Sequence, residues 1–289
     1  MVSQSQKDKA ELFLQMHHGP DILVLANSWD VGSSRLVEAC GYKAVATTSM
    51  GIAASLGYPD AGVMRLAELL PVVSAIVGAV QVPVTADIEA GYGDTTDDVV
   101  SSVKAMIDTG IVGINIEDSV SLSPKLTDET EFSERIAAIR ELSDALGLHL
   151  VINARTDAFY TTSGPRDEKL AESIRRGNSY AEAGADCVFV QPVWERQLIS
   201  TLVKEIDAPL NILANPGIGG GMPPSVSELQ ELGVARVSLG SGVMKATLAL
   251  VKKVADEVLG QGTYKNMQEA MTPPSDAARA YRMAIGLGA

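Results

Sequence analysis

Basic residues are in short supply. The chain of 289 residues carries 23 lysines and arginines against 36 acids, a net charge of −13. Nucleic acids and anionic membranes are bound through basic patches, so neither is an expected partner. A small anionic substrate remains compatible, because one arginine or a metal ion reverses the field locally. Cysteine is scarcer still. Cys40 and Cys187 are the only two, without paired spacing, which excludes a disulfide framework or a zinc knuckle. Both read as core residues. The three histidines, His17, His18 and His149, read as structural or solvated.

Long apolar runs are also missing. The start, "MVSQSQKDKAELFLQ", has no apolar signal core. The most apolar window, "LLPVVSAIVGAVQVPVTA", holds two prolines and reads as helix, break and strand, not as a membrane span. A soluble cytoplasmic protein is expected. No low-complexity linker divides the chain, so residues 1–289 are expected to form a single domain.

What the chain does have is one unit repeated. Short β-rich runs begin at Ile22, Ala44, Val82, Gly113, Leu150, Cys187, Leu210 and Arg236. They are nearly continuously apolar, as strands buried on both faces are. Between them lie amphipathic segments such as "DDVVSSVKAMIDTG", several closed by glycine, a helix stop. Eight strands alternating with helices predict a parallel (β/α)8 barrel, with an extra helical segment after Gly262.

In such barrels the working residues sit at the C-terminal strand ends. Polar residues collect there. Strand one ends in Asn27 to Asp30, and strand two in Thr47, Thr48 and Ser49, with Asp60 in the loop beyond. Strand three gives Asp87 and Glu89, two apart and so on one face. Strand four gives Asn115 and Glu117 on one face and Asp118 on the other; strand five gives Asn153, Arg155 and Asp157. Clustered carboxylates resist ionising together, and a hard cation removes that penalty. Oxygen donors with no nearby His or Cys point to Mg²⁺, with Mn²⁺ the variant, rather than zinc. The competing reading is a structural network of the same acids with Arg155. Asp118 reads as a helix N-cap and Trp29 as a packing residue.

The segments "TTSMGIAASLGYPD", "ADIEAGYG", "GINIED", "INARTDAF" and "AGADCVFV" together resemble the isocitrate lyase/phosphoenolpyruvate mutase superfamily, over roughly Asn27 to Gly242. The resemblance implies Mg²⁺ contacted by Asp87, with Asp60, Glu89 and Glu117 bridging through water. It implies a substrate carboxylate held by Thr48, Ser49 and Met50, and a second anionic end held by Arg155. Gln191 and Asn215, at the ends of strands six and seven, complete the expected substrate-binding set. The substrates implied are 2-oxo or 2-hydroxy acids that become enolates when a C–C or C–P bond breaks. The resemblance also implies exchange of the last helices between subunits, giving a homodimer or homotetramer.

Two departures narrow the subgroup. The lid after strand four, "SVSLSPKLTDETEF", lacks the Cys and His of the lyases' "KKCGH". It shares only Pro124 and Lys125 with the Pro-Lys-Thr-Asn lid of the mutases, and Gln191 stands where they carry His. A lyase or hydrolase is therefore expected, with a phosphoenolpyruvate/phosphonopyruvate mutase and a non-catalytic 2-oxo acid-binding protein as the alternatives. Lys125 is either the lid's acid/base or a solvated lysine. Tyr92 is either a proton source beside the metal or a packing residue.

Overall fold

The computed structural model describes residues 2–59, 62–119, 125–216, 218, 221–271 and 282. The strands are β1 (Leu23–Leu25), β2 (Asn27–Ser28), β3 (Val45–Thr47), β4 (Val84–Asp87), β5 (Gly113–Glu117), β6 (Val151–Thr156), β7 (Cys187–Val190), β8 (Leu210–Leu213) and β9 (Arg236–Ser238). All pair in parallel, in the order β1-β9-β8-β7-β6-β5-β4-β3-β2. β1 and β2 are halves of one strand split at Ala26. The first half pairs with β9 and the second with β3, which closes eight strand positions into the predicted barrel.

Helices alternate with these strands. They are α1 (Gln4–Gln15), α2 (Val31–Ala39), α3 (Ser49–Ser55), α4 (Leu66–Ala79), α5 (Thr96–Asp108), α6 (Glu129–Ala145), α7 (Ala158–Thr161), α8 (Arg166–Glu182), α9 (Arg196–Glu205), α10 (Val226–Glu231), α11 (Gly242–Gln261) and α12 (Lys265–Ala270). Side-chain caps start many of them: Asp30 accepts from Ser33 N, Thr95 from Asp98 N and Ser225 from Glu228 N, each in a capping box. Among the described residues no helix is long and apolar enough to cross a membrane.

The apolar core lies between the strands' outer faces and the helices, with Ile114, Ile116, Ile152, Val188 and Ile212 fully buried. The bottom of the barrel is closed by α1. Its Phe13 inserts beneath Gly113, where a Cβ would stand 2.8 Å from the Phe13 ring. Any larger residue at 113 would expel that plug. Trp29 packs against the core as expected, and Cys187 is buried. Cys40 is not core. It caps the end of α2, where the chain turns away through Gly41 at φ +92°, and is exposed.

Candidate active site

A cavity of about 540 Å³ opens at the C-terminal strand ends. Strand register builds its wall. Asp87, Asn115 and Asn153 are direct neighbours across β4, β5 and β6. The alignment makes a chain of amides: Asn153 Nδ2 donates to Asn115 Oδ1 at 2.8 Å, and Asn115 Nδ2 donates to Asp87 Oδ1 at 3.1 Å. The carboxylate can only accept, so it fixes the direction of both amides. From the other side, Ser49 gives Asp87 Oδ2 its backbone N–H at 2.9 Å and its hydroxyl at 2.7 Å. Thr48, as N-cap of α3, sets that backbone.

The next level up is ionic. Glu117, Arg155 and Phe189 are register neighbours on β5, β6 and β7. Arg155 meets Glu117 at 2.5 Å and grips Asp157 with Nε and Nη2, both at 2.8 Å. Gln191 donates to the same Asp157 oxygen at 3.1 Å. Burial, then the charges of Asp157 and Asp87, push the Glu117 carboxyl above the usual range, against the pull of Arg155. The turn after β4 is strained: Glu89 and Tyr92 sit at φ +51° and +54°, a region non-glycine residues avoid.

The sequence candidates separate into groups. Thr48, Ser49, Met50, Asp87, Glu89, Glu117, Arg155 and Gln191 all line the one cavity. Tyr92 lies behind the wall, its hydroxyl donating to Glu89 at 3.2 Å. Burial, then Glu89 and Asp87, raise the phenol's pKa further. Asn215 is buried against Gly242, outside the lining. Lys125 is exposed. Asp60 and Pro124 lie outside the described residues, as does most of the lid before Lys125.

Asp118 is not a helix cap. It is fully buried behind β5 and accepts from Tyr180 Oη at 2.7 Å, Thr156 Oγ1 at 2.8 Å, Asp157 N at 3.0 Å and Arg176 at 3.1 Å. It ties α8 to the strand that carries Arg155. Sequence reasoning missed Thr85, Asn211, Arg236 and Ser238, all lining the cavity. The signal was present: polar residues two apart in otherwise apolar strands, as in "RVSLG".

The donor set can be tested for a divalent ion. No imidazole or thiolate among the described residues lines the cavity. Among the described residues, no three His, Cys, Asp or Glu side chains are grouped to hold an ion by themselves. That donor set fits Mg²⁺, which takes one or two carboxylates and keeps its waters. Asp87 has roughly four acceptor positions, and three hydrogen bonds occupy it here.

A model of the phosphoenolpyruvate phosphomutase family matches residues 13–259. The chain belongs to that family. It is thus an enzyme of the isocitrate lyase/phosphoenolpyruvate mutase superfamily, as its motifs implied. It is 35% identical over 230 residues to an uncharacterized protein of Mycobacterium tuberculosis (strain ATCC 25618 / H37Rv), covering 79% of this chain and 81% of that one. It is 28% identical over 259 residues to 2-methylisocitrate lyase of Escherichia coli (strain K12), covering 86% and 84%. A solved structure from Burkholderia cenocepacia J2315, described as a lyase/mutase, superposes with a TM-score of 0.87 at 31% identity, covering 96% of this chain and 97% of that one.

Proposed function

We propose that this enzyme is a divalent-metal-dependent lyase or hydrolase. It cleaves the C–C bond next to the carbonyl or hydroxyl carbon of a small 2-oxo or 2-hydroxy dicarboxylic acid, through an enolate. The observation that carries the reading is the shared cavity of Asp87, Glu89, Glu117, Ser49 and Arg155. Residues 1–289 act as one barrel unit, cytoplasmic and assembled as a homodimer or homotetramer.

Asp87 would hold Mg²⁺ or Mn²⁺ directly, with Glu89, Glu117 and Asp60 reaching it through water. When bound, the ion supplies a Lewis acid for the oxyanion that develops on bond cleavage. The chain's own groups do the rest. The α3 N-terminus, with Thr48, Ser49 and Met50, orients one substrate carboxylate, and Arg155 orients the other anionic end. Its grip by Glu117 and Asp157 holds the guanidinium plane in place. Lys125, at the end of the lid, is the candidate to move the proton. Tyr92 is the weaker candidate, because burial, together with the surrounding carboxylates, holds its proton tightly.

The second reading, a phosphomutase, has the matching family model in its favour. Against it stands Gln191, an amide bound to Asp157 where a mutase carries imidazole. One panel separates the readings. The protein with Mg²⁺ is given oxaloacetate, 2-methylisocitrate, dimethylmalate and phosphonopyruvate, and cleavage products including pyruvate and oxalate are followed, with ³¹P NMR on the last. Cleavage of a carbon acid is expected. Interconversion of phosphonopyruvate with phosphoenolpyruvate establishes the mutase, and binding without turnover establishes a sensor.

A further inference from the structure

Barrels of this type are ordinarily filled by bulky branched side chains. The interior here instead holds Thr85, Asn153, Asn211, Ser238 and Arg236, all buried. Arg236 is 2% exposed, yet it lines the floor of the cavity. Its guanidinium lies over the Phe13 ring at 5.9 Å, and Nη1 meets His17 Nε2 at 3.4 Å. His17 donates its other nitrogen to Phe13 O at 2.8 Å, so the nitrogen facing Arg236 is a neutral acceptor.

No carboxylate among the described residues touches this charge; Asp87 acts on it only through space. Among the described residues Arg236 forms no salt bridge, and its Nε has no hydrogen-bond partner. The neighbouring Cys187 thiol is kept neutral, its pKa pushed up to about 12 by burial. The other arginine on the cavity, Arg155, is held by two acids. A buried guanidinium with five donors is stable only when paired and hydrogen-bonded. Water would fill the donors but leave the charge without a counter-ion in contact.

We propose that the barrel floor is a subsite for a small monoanionic group, of carboxylate or halide size, received by Arg236 from the cavity side. Asn211, the register neighbour of Arg236, supports it. Among the described residues, the one hydrogen bond of its amide runs from Nδ2 to the Ser238 hydroxyl at 3.3 Å. A hydroxyl serves either amide atom, so the side chain can turn its NH₂ toward an anion. The Thr85 hydroxyl has no partner among the described residues and can donate. Asn153 cannot turn, because Asp87 fixes it through Asn115. Its Oδ1 therefore calls for a water beside the anion. The anion is either free in solution or the far carboxylate of a substrate, and the inference stands apart from the proposed reaction.

Crystals of the full chain soaked in sodium bromide decide it. An anomalous peak within hydrogen-bond distance of the Arg236 guanidinium is expected. A second soak adds malonate: displacement of bromide by one malonate carboxylate assigns the subsite to a substrate's far end, and retained bromide assigns it to a free anion. Only water at this position in both soaks, or bromide elsewhere as an adventitious ion only, overturns the proposal. In solution, formate is titrated calorimetrically into wild type, Arg236→Lys and Arg236→Gln. Arg236→Gln should bind formate roughly tenfold or more weakly, with Arg236→Lys between. Equal affinities count against the subsite. Should Arg236→Gln fail to fold, Arg236→Lys and the wild-type anomalous map carry the test.

Discussion

Ser49 gives both its backbone N–H and its hydroxyl to a single oxygen of Asp87, at 2.9 and 2.7 Å. With Asn115 on the other oxygen, the carboxylate is locked in rotation before any ligand arrives. A preoriented carboxylate loses little freedom on taking up an ion, which suits the single direct ligand that Mg²⁺ asks of it. Calorimetry of Mg²⁺ into wild type should show one site. Asp87→Ala should abolish it, and Glu89→Gln should only weaken it. A wild type silent toward Mg²⁺ and Mn²⁺, with and without a 2-oxo acid, refutes the metal site.

Arg155 carries the next expectation. Among the described residues it is the arginine that stands on the level of the acids, and Glu117 with Asp157 holds it rigid. Arg155→Ala should abolish turnover of whichever acid the panel identifies. Lys125→Ala should lower kcat on the order of 10²-fold if that amine moves the proton. Steady-state kinetics on both variants, with folding checked by circular dichroism, tells an anchor from a bystander: an unchanged Arg155→Ala enzyme removes the anchor.

The outward half of this arrangement was legible in the sequence. Asn115 with Glu117 and Asn153 with Arg155 are two apart on strands, so alternation alone assigns each pair a face. Glu89 reaches the same cavity as Asp87 from the turn beyond β4, not by strand alternation. What spacing cannot give is register. That Asp87, Asn115 and Asn153 stand abreast follows from the stagger of three strands. Asp118 was misread for the same reason. Its partners Tyr180 and Arg176 are about sixty residues away on α8 and leave no local mark. Arg236 was passed over because an isolated polar residue in an apolar strand is visible, but the empty space beside it is not.

The Asp118 hub yields a stability prediction. It holds Arg176, Tyr180, Thr156 and the Asp157 amide with no solvent access. Asp118→Ala leaves the Tyr180 and Thr156 hydroxyls and the Asp157 amide without their acceptor, while Arg176 keeps Glu172 and Thr127 O. The expected loss is roughly 2–4 kcal/mol, read by urea unfolding. A loss below about 1 kcal/mol, the scale of a surface pair, would show that the hub is not structural.

α11 exposes an apolar face. Of its twenty residues only Met244 and Glu257 are buried, while Leu248, Val251 and Leu259 are 52%, 59% and 92% exposed. Such a face on a barrel helix favours a second copy of the chain. Sedimentation at micromolar concentration should give a dimer or tetramer, and Leu248→Asp with Val251→Asp should shift it toward monomer. A wild-type monomer contradicts the assembly.

His17 makes stability depend on pH. It is buried beneath the barrel between Phe13 and Arg236, and burial followed by the Arg236 charge lowers its pKa from 6.5 to about 3. The folded state thus keeps the ring neutral where the unfolded chain takes up a proton. With the folded pKa depressed, its stabilisation is complete above pH 6.5 and is lost as pH falls toward 3. One proton's difference amounts to roughly 1.4 kcal/mol per pH unit inside that window. From pH 6.5 to about 5 the wild type should therefore lose roughly 2 kcal/mol more than His17→Asn, which has nothing to titrate there. Denaturant unfolding of the two proteins across this range measures the difference directly. His17→Asn will be less stable near neutrality, since it makes a poorer bond to Phe13 and Arg236, so the two curves should converge on acidification. Parallel curves would mean that the ring is protonated in the folded protein, and that Arg236 is farther from it than the 3.4 Å contact implies.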